Sequence, residues 1–330
     1  MDEADFMTGR IKFANKRWIM NGVICLGEAL IDFIPLDGDH LTYKKAPGGA
    51  PANVAVGIAK LGGKSTFIGK VGDDVLGHFL IETLTGFGVD VSSMVLTDEV
   101  RTGVTFVTLE PSGERDFSFY IDPSADRFLQ KEELDPAVFA GQKIFHFGSI
   151  SLISEPAKSA TLHAAALAKN KGMLTSYDPN LRLSLWDSAE QAKETILAAL
   201  PYVDLLKMSE EELLFLTGCD TLEEGMNQLP DLPLIVVTLG EEGSLYRFQG
   251  ETGRVPAMDC KVVDTTGAGD AFVSGILYSL NESQKGLAEL SAPDIAEMLR
   301  FANVSGGLAT TKKGALTGLP TLAEIQAILK

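Results

Sequence analysis

Short apolar runs recur along this chain with a helical pattern after most of them, and that alternation restricts the fold more than any other feature. Strand-like runs at 23–26, 66–71, 144–148, 173–177, 203–207 and 234–238 are separated by helical patterns near 51–61, 74–87, 156–171, 188–199, 209–216 and 270–280. Strands alternating with helices predict an α/β fold, a central and mostly parallel sheet of Rossmann-like type flanked by helices on both faces. Residues 31–46 and 101–121 break the rhythm: they alternate with period two around Gly/Asp and Pro-Ser-Gly turns. They predict antiparallel hairpins that stand off the body as a small β-lid. On the second hairpin Phe117 and Phe119 share a face, either as the lid's own core or as a cover that keeps water from a ligand.

Composition sets outer limits. The 330 residues, 45% of them hydrophobic, are enough for one large domain, read here as 20–330. Residues 1–19 are charged and lack the apolar stretch of a signal peptide, so they read as an extension, tag-like segment or alternative start before Met20. A formal net charge of −17 and the lack of any dense Lys/Arg run argue against nucleic acid or an anionic membrane as partner. No run approaches the ~20 apolar residues of a membrane span. The cysteines Cys25, Cys219 and Cys260 and the histidines His40, His78, His146 and His163 are too scattered for a disulfide framework or a metal cluster, which fits a reducing cytoplasm.

The chemistry is concentrated in Val263-Asp264-Thr265-Thr266-Gly267-Ala268-Gly269-Asp270-Ala271-Phe272. Gly267, Ala268 and Gly269 have almost no side chain, so their N–H groups can converge on one spot at a helix N-terminus, where the dipole favours an anion. Asp270 would place a carboxylate beside that anion hole, able to take a proton from an attacking hydroxyl. The turn alone could equally cap a helix, for which Asp is a favoured residue. It is neither a dinucleotide fingerprint, which needs glycine where Phe272 stands, nor a Walker A loop.

Further segments in order resemble the ribokinase-like (PfkB) carbohydrate kinases from about residue 22 onward. Pro47-Gly48-Gly49-Ala50-Pro51-Ala52-Asn53 with Ile68-Gly69-Lys70-Val71-Gly72-Asp73-Asp74 resembles the family's first signature, and Asp264 to Gly275 its second. Val237-Thr238-Leu239-Gly240-Glu241-Glu242-Gly243 resembles its nucleotide loop. Within the family, Lys45 to Asn53, Gly148-Ser149-Ile150-Ser151-Leu152 and Tyr177-Asp178-Pro179-Asn180-Leu181-Arg182 look most like the fructokinases.

The resemblance implies a ribokinase-like fold with its β-lid, and an ATP-dependent fructokinase that converts D-fructose to D-fructose 6-phosphate with Asp270 as base. Sugar contacts fall by resemblance on Asp32, Gly48, Gly49, Asn53, Arg101 and Arg182. These residue types suit sugar binding, since glycines admit a ligand close to the backbone, Asn53 can donate and accept, and Asp32 can accept from two adjacent hydroxyls. Arg182 follows a strand, at the sheet edge where such folds bind ligands, although an ion pair with Asp178 or another of the many acids would explain it too. Nucleotide contacts fall on Lys207, Glu212, Thr238, Gly240, Gly243, Gly267, Gly269 and Asn303. Glu212 matches an Asn-x-x-Glu element tied to the hydration of magnesium, with Ser209 in place of the usual Asn. Asp264, Thr266, Ala309, Lys312 and Gly314 resemble a monovalent-cation loop suited to potassium, with Gly318 where a hydroxyl residue is common. Mg2+ is also required physically, because the adjoining charges of ATP need a metal.

A homodimer through the exposed lid face is the expected assembly. Two other functions stay open: a kinase for 2-keto-3-deoxygluconate, whose carboxylate Arg182 would pair, and a catalytically silent nucleotide-binding regulator.

Overall fold

The computed structural model describes residues 20–36, 41–109 and 115–330. The chain runs through β1 (Val23–Leu26), β2 (Leu30–Pro35), β3 (Tyr43–Gly48), α1 (Ala50–Lys60), β4 (Ser65–Gly72), α2 (Val75–Gly86), β5 (Asp90–Thr97), β6 (Gly103–Leu109) and β7 (Arg115–Phe119). It continues through β8 (Ile144–Phe147), α3 (Ala157–Asn170), β9 (Leu174–Tyr177), α4 (Ala189–Ala198), β10 (Leu205–Ser209), α5 (Glu210–Thr217), α6 (Leu222–Gln228) and β11 (Leu234–Thr238). The C-terminal part comprises β12 (Ser244–Phe248), β13 (Glu251–Val255), α7 (Ala268–Glu282), α8 (Ala292–Thr310), α9 (Ala315–Gly318) and α10 (Leu322–Leu329).

The main sheet has nine strands in the order β13-β12-β11-β10-β9-β8-β1-β4-β5. β4, β1, β8, β9, β10 and β11 pair in parallel, with β5 parallel at one edge. β12 and β13 add antiparallel strands at the other. Both faces are covered, so the central strands are apolar on both sides. Val23 and Cys25 of β1 enter one core layer with residues of α1, α2, α7 and α8. Ile24 and Leu26 enter the other, with residues of α3, α4, α5 and α6.

The four-stranded lid has the order β3-β2-β6-β7. Each predicted hairpin is present, and a parallel β2–β6 pairing joins them, with Asp32 opposite Thr105. Period-two alternation sorts the lid's side chains. On one face Phe106 stacks on Phe33 with ring centres 5.2 Å apart and meets Tyr43 and Tyr120 edge-on. The other face carries Asp32, Thr105 and Phe119 in register across three strands and looks onto the body. The Phe117 side chain lies outside the described residues, as do residues 1–19.

The lid crossings are anchored to the body. Asp74 caps α2 by accepting from Leu76 and Gly77, and the same carboxylate accepts from the Thr102 amide and hydroxyl at the entry to β6. Acceptance of several N–H groups by one carboxylate is also a strong stabiliser of its charge. Although burial opposes it, these bonds hold the Asp74 carboxyl below its usual range.

Candidate active site

Chain order reverses at β1, with β4 on one side and β8 on the other. The crevice outside the carboxyl ends of strands at such a reversal is the usual ligand site of open α/β sheets. A cavity of about 90 Å³ lies there, between the lid's inner face and the first turn of α7. Its wall includes Asp32, Gly49, Asn53, Arg182, Thr266, Gly267 and Asp270, residues scattered over most of the sequence. A larger cavity, about 1000 Å³, is lined by Lys143, Met173, Asp204, Leu280 and Leu287 at the opposite end of the strands, and none of the sequence-predicted site residues borders it.

Asp270 is buried, with 8% of its surface exposed, and its Oδ2 accepts from Asn53 Nδ2 at 2.8 Å. Burial raises its pKa to about 6; the Asn53 hydrogen bond opposes the rise, the Asp178 charge adds to it, and Lys207 and Arg182 oppose it. The carboxylate is thus ionised at neutral pH yet far more basic than an exposed one, as a proton acceptor should be. Its Oδ1 has no hydrogen-bond partner among the described residues.

Behind the turn, Lys207 Nζ pairs with Asp178 Oδ2 at 3.0 Å, both side chains buried. Burial would depress the ammonium, but the charges of Asp178, Glu212 and, less strongly, Asp270 outweigh it and hold its pKa above the ordinary value. A Cβ placed on Gly269 would lie 3.4 Å from that ammonium, so the cation sits directly under the glycine turn.

The turn differs from expectation in one respect. Gly267 adopts φ 78°, ψ 3°, the third-position geometry of a type II turn that glycine favours. Ala268 N–H therefore folds back on the Thr265 carbonyl at 3.1 Å and is occupied within the turn. The amides of Gly267 and Gly269 carry no partner among the described residues, so two of the three predicted donors are available to an anion. Asp264 holds the turn in place, its Oδ1 accepting from Thr266 N–H at 2.9 Å and its Oδ2 from Gly314 N–H at 2.8 Å.

Among the sugar residues, Gly48 and Gly49 act through shape. A Cβ at Gly48 would collide with Asp32 Oδ2, and Gly49, at φ 103°, would collide with the Glu28 carbonyl. Arg182 borders the cavity with Nη1 donating to the Leu181 carbonyl at 3.0 Å. The cation paired with Asp178 is Lys207. Arg101 is exposed in the segment leading to β6 and is not part of the cavity wall, because the Asp74–Thr102 anchor fixes that segment at the lid's base.

The nucleotide-side residues are brought together less directly. Thr238 ends β11, and Gly240 (φ 56°) and Gly243 (φ 97°) shape its turn into β12. A side chain at Gly243 would strike the Val255 carbonyl. The Asn303 amide of α8 donates to the carbonyls of Val255 at 3.0 Å and Pro256 at 3.1 Å. It pins the segment after β13 instead of presenting its amide to a ligand. Glu212, expected to face hydrated magnesium, accepts the Leu181 amide with Oε1 and the Ser209 amide with Oε2, each at 2.7 Å. Ser209 Oγ accepts Glu212 N–H in return, a capping box that explains a serine at this position. Burial and the Asp178 charge raise the Glu212 pKa. Lys312 directs its ammonium to Glu324 at 2.6 Å; the Ala309 and Gly314 carbonyls accept amides of their own segment, and the Thr310 carbonyl accepts the amides of Val263 at 2.8 Å and Asp264 at 3.0 Å, tying the end of α8 to the start of the glycine turn. Among the described residues no group of three or more His, Cys, Asp or Glu could hold a metal ion, and no helix is long and apolar enough to cross a membrane.

Sequence reasoning gave no site role to Glu28, Leu30, Ala50, Thr105, Ile150, Asn180 and Ala315 of the cavity wall, although Ala50, Ile150 and Asn180 stand in the motifs that carry the family resemblance. Two carried a signal: Glu28 is an acid at the end of the buried run Val23-Ile24-Cys25-Leu26, and Asn180 stands in a polar turn after β9, where it adopts φ 45°.

The sequence profile described as pfkB family carbohydrate kinase matches residues 20–322. The chain is 48% identical over 318 residues to a probable chloroplastic fructokinase-6 of Arabidopsis thaliana, covering 93% of this chain and 82% of that one. It is 44% identical to fructokinase-1 of Zea mays, covering 93% and 97%. A crystal structure of a fructokinase double mutant from Vibrio cholerae, bound to fructose, ADP and a potassium ion, superposes with a TM-score of 0.87 at 42% identity, covering 94% of this chain and 99% of that one.

Proposed function

The chain belongs to the pfkB family of carbohydrate kinases, and from that premise we propose that it is a fructokinase that transfers the γ-phosphoryl group of ATP to the 6-hydroxyl of D-fructose with Asp270 as base. The observation that carries this reading is the Asn53–Asp270 hydrogen bond of 2.8 Å inside a cavity shared with Asp32 and the Gly267 turn. It joins a basic, oriented carboxylate to a cavity that also carries the hydrogen-bonding side chains of Asp32, Thr105, Asn180 and Arg182. The similarity to fructokinases, one of them crystallised with fructose and ADP, supports the choice of sugar.

In the proposed reaction the sugar lies under the lid against Asp32, Gly49 and Asn53. The 6-hydroxyl gives its proton to Asp270 Oδ1 while its oxygen forms a bond to the γ-phosphorus. The bond from that phosphorus to the β,γ-bridging oxygen breaks, ADP leaves, and Asp270 later returns its proton to solvent. The available N–H groups of Gly267 and Gly269, with the Lys207 ammonium beneath, stabilise charge on the transferring group. Asn53 holds the base in one orientation, a positioning effect that lowers the barrier without new chemistry.

Mg2+ would accompany the nucleotide, bound chiefly by phosphate oxygens and water, since it prefers few protein ligands. It supplies charge neutralisation on the phosphates. A potassium ion, like the one bound to the similar Vibrio cholerae fructokinase, would sit where the 264–267 turn meets residues 309–314, with the buried Asp264 carboxylate as the nearby negative charge. We also assign a homodimer to the outer lid face, where the exposed Tyr120 meets Phe106 edge-on beside the Phe33–Phe106 stack.

ADP release measured with fructose, ribose, tagatose and 2-keto-3-deoxygluconate, with and without potassium, tests the reading. The highest kcat/KM is expected on fructose; a higher value on another sugar overturns the substrate assignment.

A further inference from the structure

Glu28 follows β1, where the chain crosses from body to lid, and only 2% of its surface is exposed. It borders the same cavity as Asp270 and Asp32. Its Oε1 accepts the N–H of Ala50, the first residue of α1, at 2.9 Å. The other oxygen, Oε2, is buried and has no hydrogen-bond partner among the described residues. Leaving a buried polar atom unpaired is costly, so such an atom marks a place where a partner arrives from elsewhere. A cavity wall is where a ligand can bring one.

We propose that Glu28 is a sugar-contacting, specificity-determining residue that acts as a neutral acid, its Oε2 hydroxyl donating to a hydroxyl oxygen of the bound sugar. The proposal rests on the sugar-kinase reading of this cavity. Burial is the largest influence on the group and raises its pKa to about 8; its own amide and that of Ala50 oppose the rise, and the nearby charges of Asp126 and Asp270 add to it. Asp126 enters from the segment that returns from the lid and is itself raised by burial. With two acids as its charged neighbours, an ionised Glu28 would repel both, whereas a protonated one can donate. The arrangement discriminates by chemistry: a substrate that places a hydroxyl or carbonyl oxygen at this point satisfies the carboxyl, and one that places a methylene there leaves it unpaired.

The test compares wild type with Glu28→Gln and Glu28→Ala, measuring kcat, KM for fructose, KM for ATP and thermal midpoint. Glutamine keeps an oxygen for Ala50 and places an N–H donor where Oε2 stood, so its KM for fructose should stay within about three-fold of wild type. Alanine should raise that KM about ten-fold or more, the scale of one lost buried hydrogen bond, with KM for ATP unchanged. Wild-type sugar affinity should also fall as pH rises through about 8, where Glu28 ionises, while that of Glu28→Gln stays level. This second readout decides the matter if the alanine variant does not fold. Unchanged KM for fructose in Glu28→Ala, equal losses in Gln and Ala, or coincident pH profiles each overturn the assignment. If wild type phosphorylates no sugar, the kinase reading itself fails, an outcome distinct from an active wild type indifferent to Glu28.

Discussion

Asn53 and Asp270 lie 217 positions apart in sequence, yet the amide of one donates to the carboxylate of the other at 2.8 Å. Their helices, α1 and α7, pack together on one face of the sheet, and each residue stands in the first turn of its helix. The lid's return strand delivers the first helix and the glycine turn delivers the second. Base and orienting group are thus set by the same packing that forms the core layer.

Removing the base should abolish turnover without removing the site. Asp270→Asn keeps the shape and the side-chain oxygen but cannot take the proton, and kcat should fall by about 10²–10⁴-fold, the usual contribution of general-base catalysis. Nucleotide binding, followed by titration calorimetry, should be little changed. A variant with near-normal kcat sinks the assignment.

The pH dependence follows from the raised Asp270 carboxyl. Below about 6 the group is protonated and cannot accept, so kcat/KM should fall ten-fold per pH unit there and level off between about 6 and the pH near 8 at which Glu28 ionises. Because the Asn53 bond lowers this pKa, Asn53→Ala should move the limb to higher pH. A limb that stays in place, or moves down, would show that Asn53 does not act through Asp270.

Gly267→Ala puts a Cβ on a residue at φ 78° and within 3.0 Å of the Ala315 backbone. The left-handed conformation costs about 1–2 kcal/mol for a residue with a side chain, and relieving the contact would move the turn. The expectation is a lower thermal midpoint together with a fall in kcat, while KM for fructose changes less. Unaltered kcat would mean that the turn's geometry is not tied to the reacting phosphate.

Lys207→Met should destabilise the fold as well as weaken activity. Asp178 would keep a buried carboxylate without its cation, a change that typically costs about 3–5 kcal/mol. Urea unfolding of Lys207→Met beside the double variant Lys207→Met, Asp178→Leu measures this, and the double variant should recover most of the loss. If both single and double variants unfold like wild type, the pair is not a structural element.

Legibility differed between parts of the molecule for physical reasons. β1, β8 and β11 are buried on both faces and mostly apolar, so they stand out from their helical neighbours, while β4 and β9 are as well buried yet carry Ser, Thr and Lys and are marked by the apolar residues between them. β5 is an edge strand with mixed exposure, Asp-Val-Ser-Ser-Met-Val-Leu-Thr, and has no such run. The glycine turn was legible as an anion site because only small residues permit it, but the occupation of the Ala268 amide depends on the φ of Gly267 and is not written in residue types. Arg101, Glu212 and Asn303 were plausible by residue type, yet each takes its place from contacts with the backbone of distant segments. Glu28 was hidden for the opposite reason, since a single acid after a strand is ordinary until its burial is known.

What the sequence determined by itself is the six central strands, the helices α1 to α5 and α7, the lid hairpins and the chemical kind of the site, because these depend on local periodicity and on residues such as glycine and aspartate whose roles are narrow. Tertiary structure alone decided that β2 and β6 pair in parallel to make one lid, that Asn53 reaches Asp270, that Lys207 rather than Arg182 pairs with Asp178, and that Glu28 is buried with an unpaired oxygen. Those outcomes turn on which segments share a cavity, and proximity between residues far apart in the chain comes only from packing the helices and lid onto the sheet.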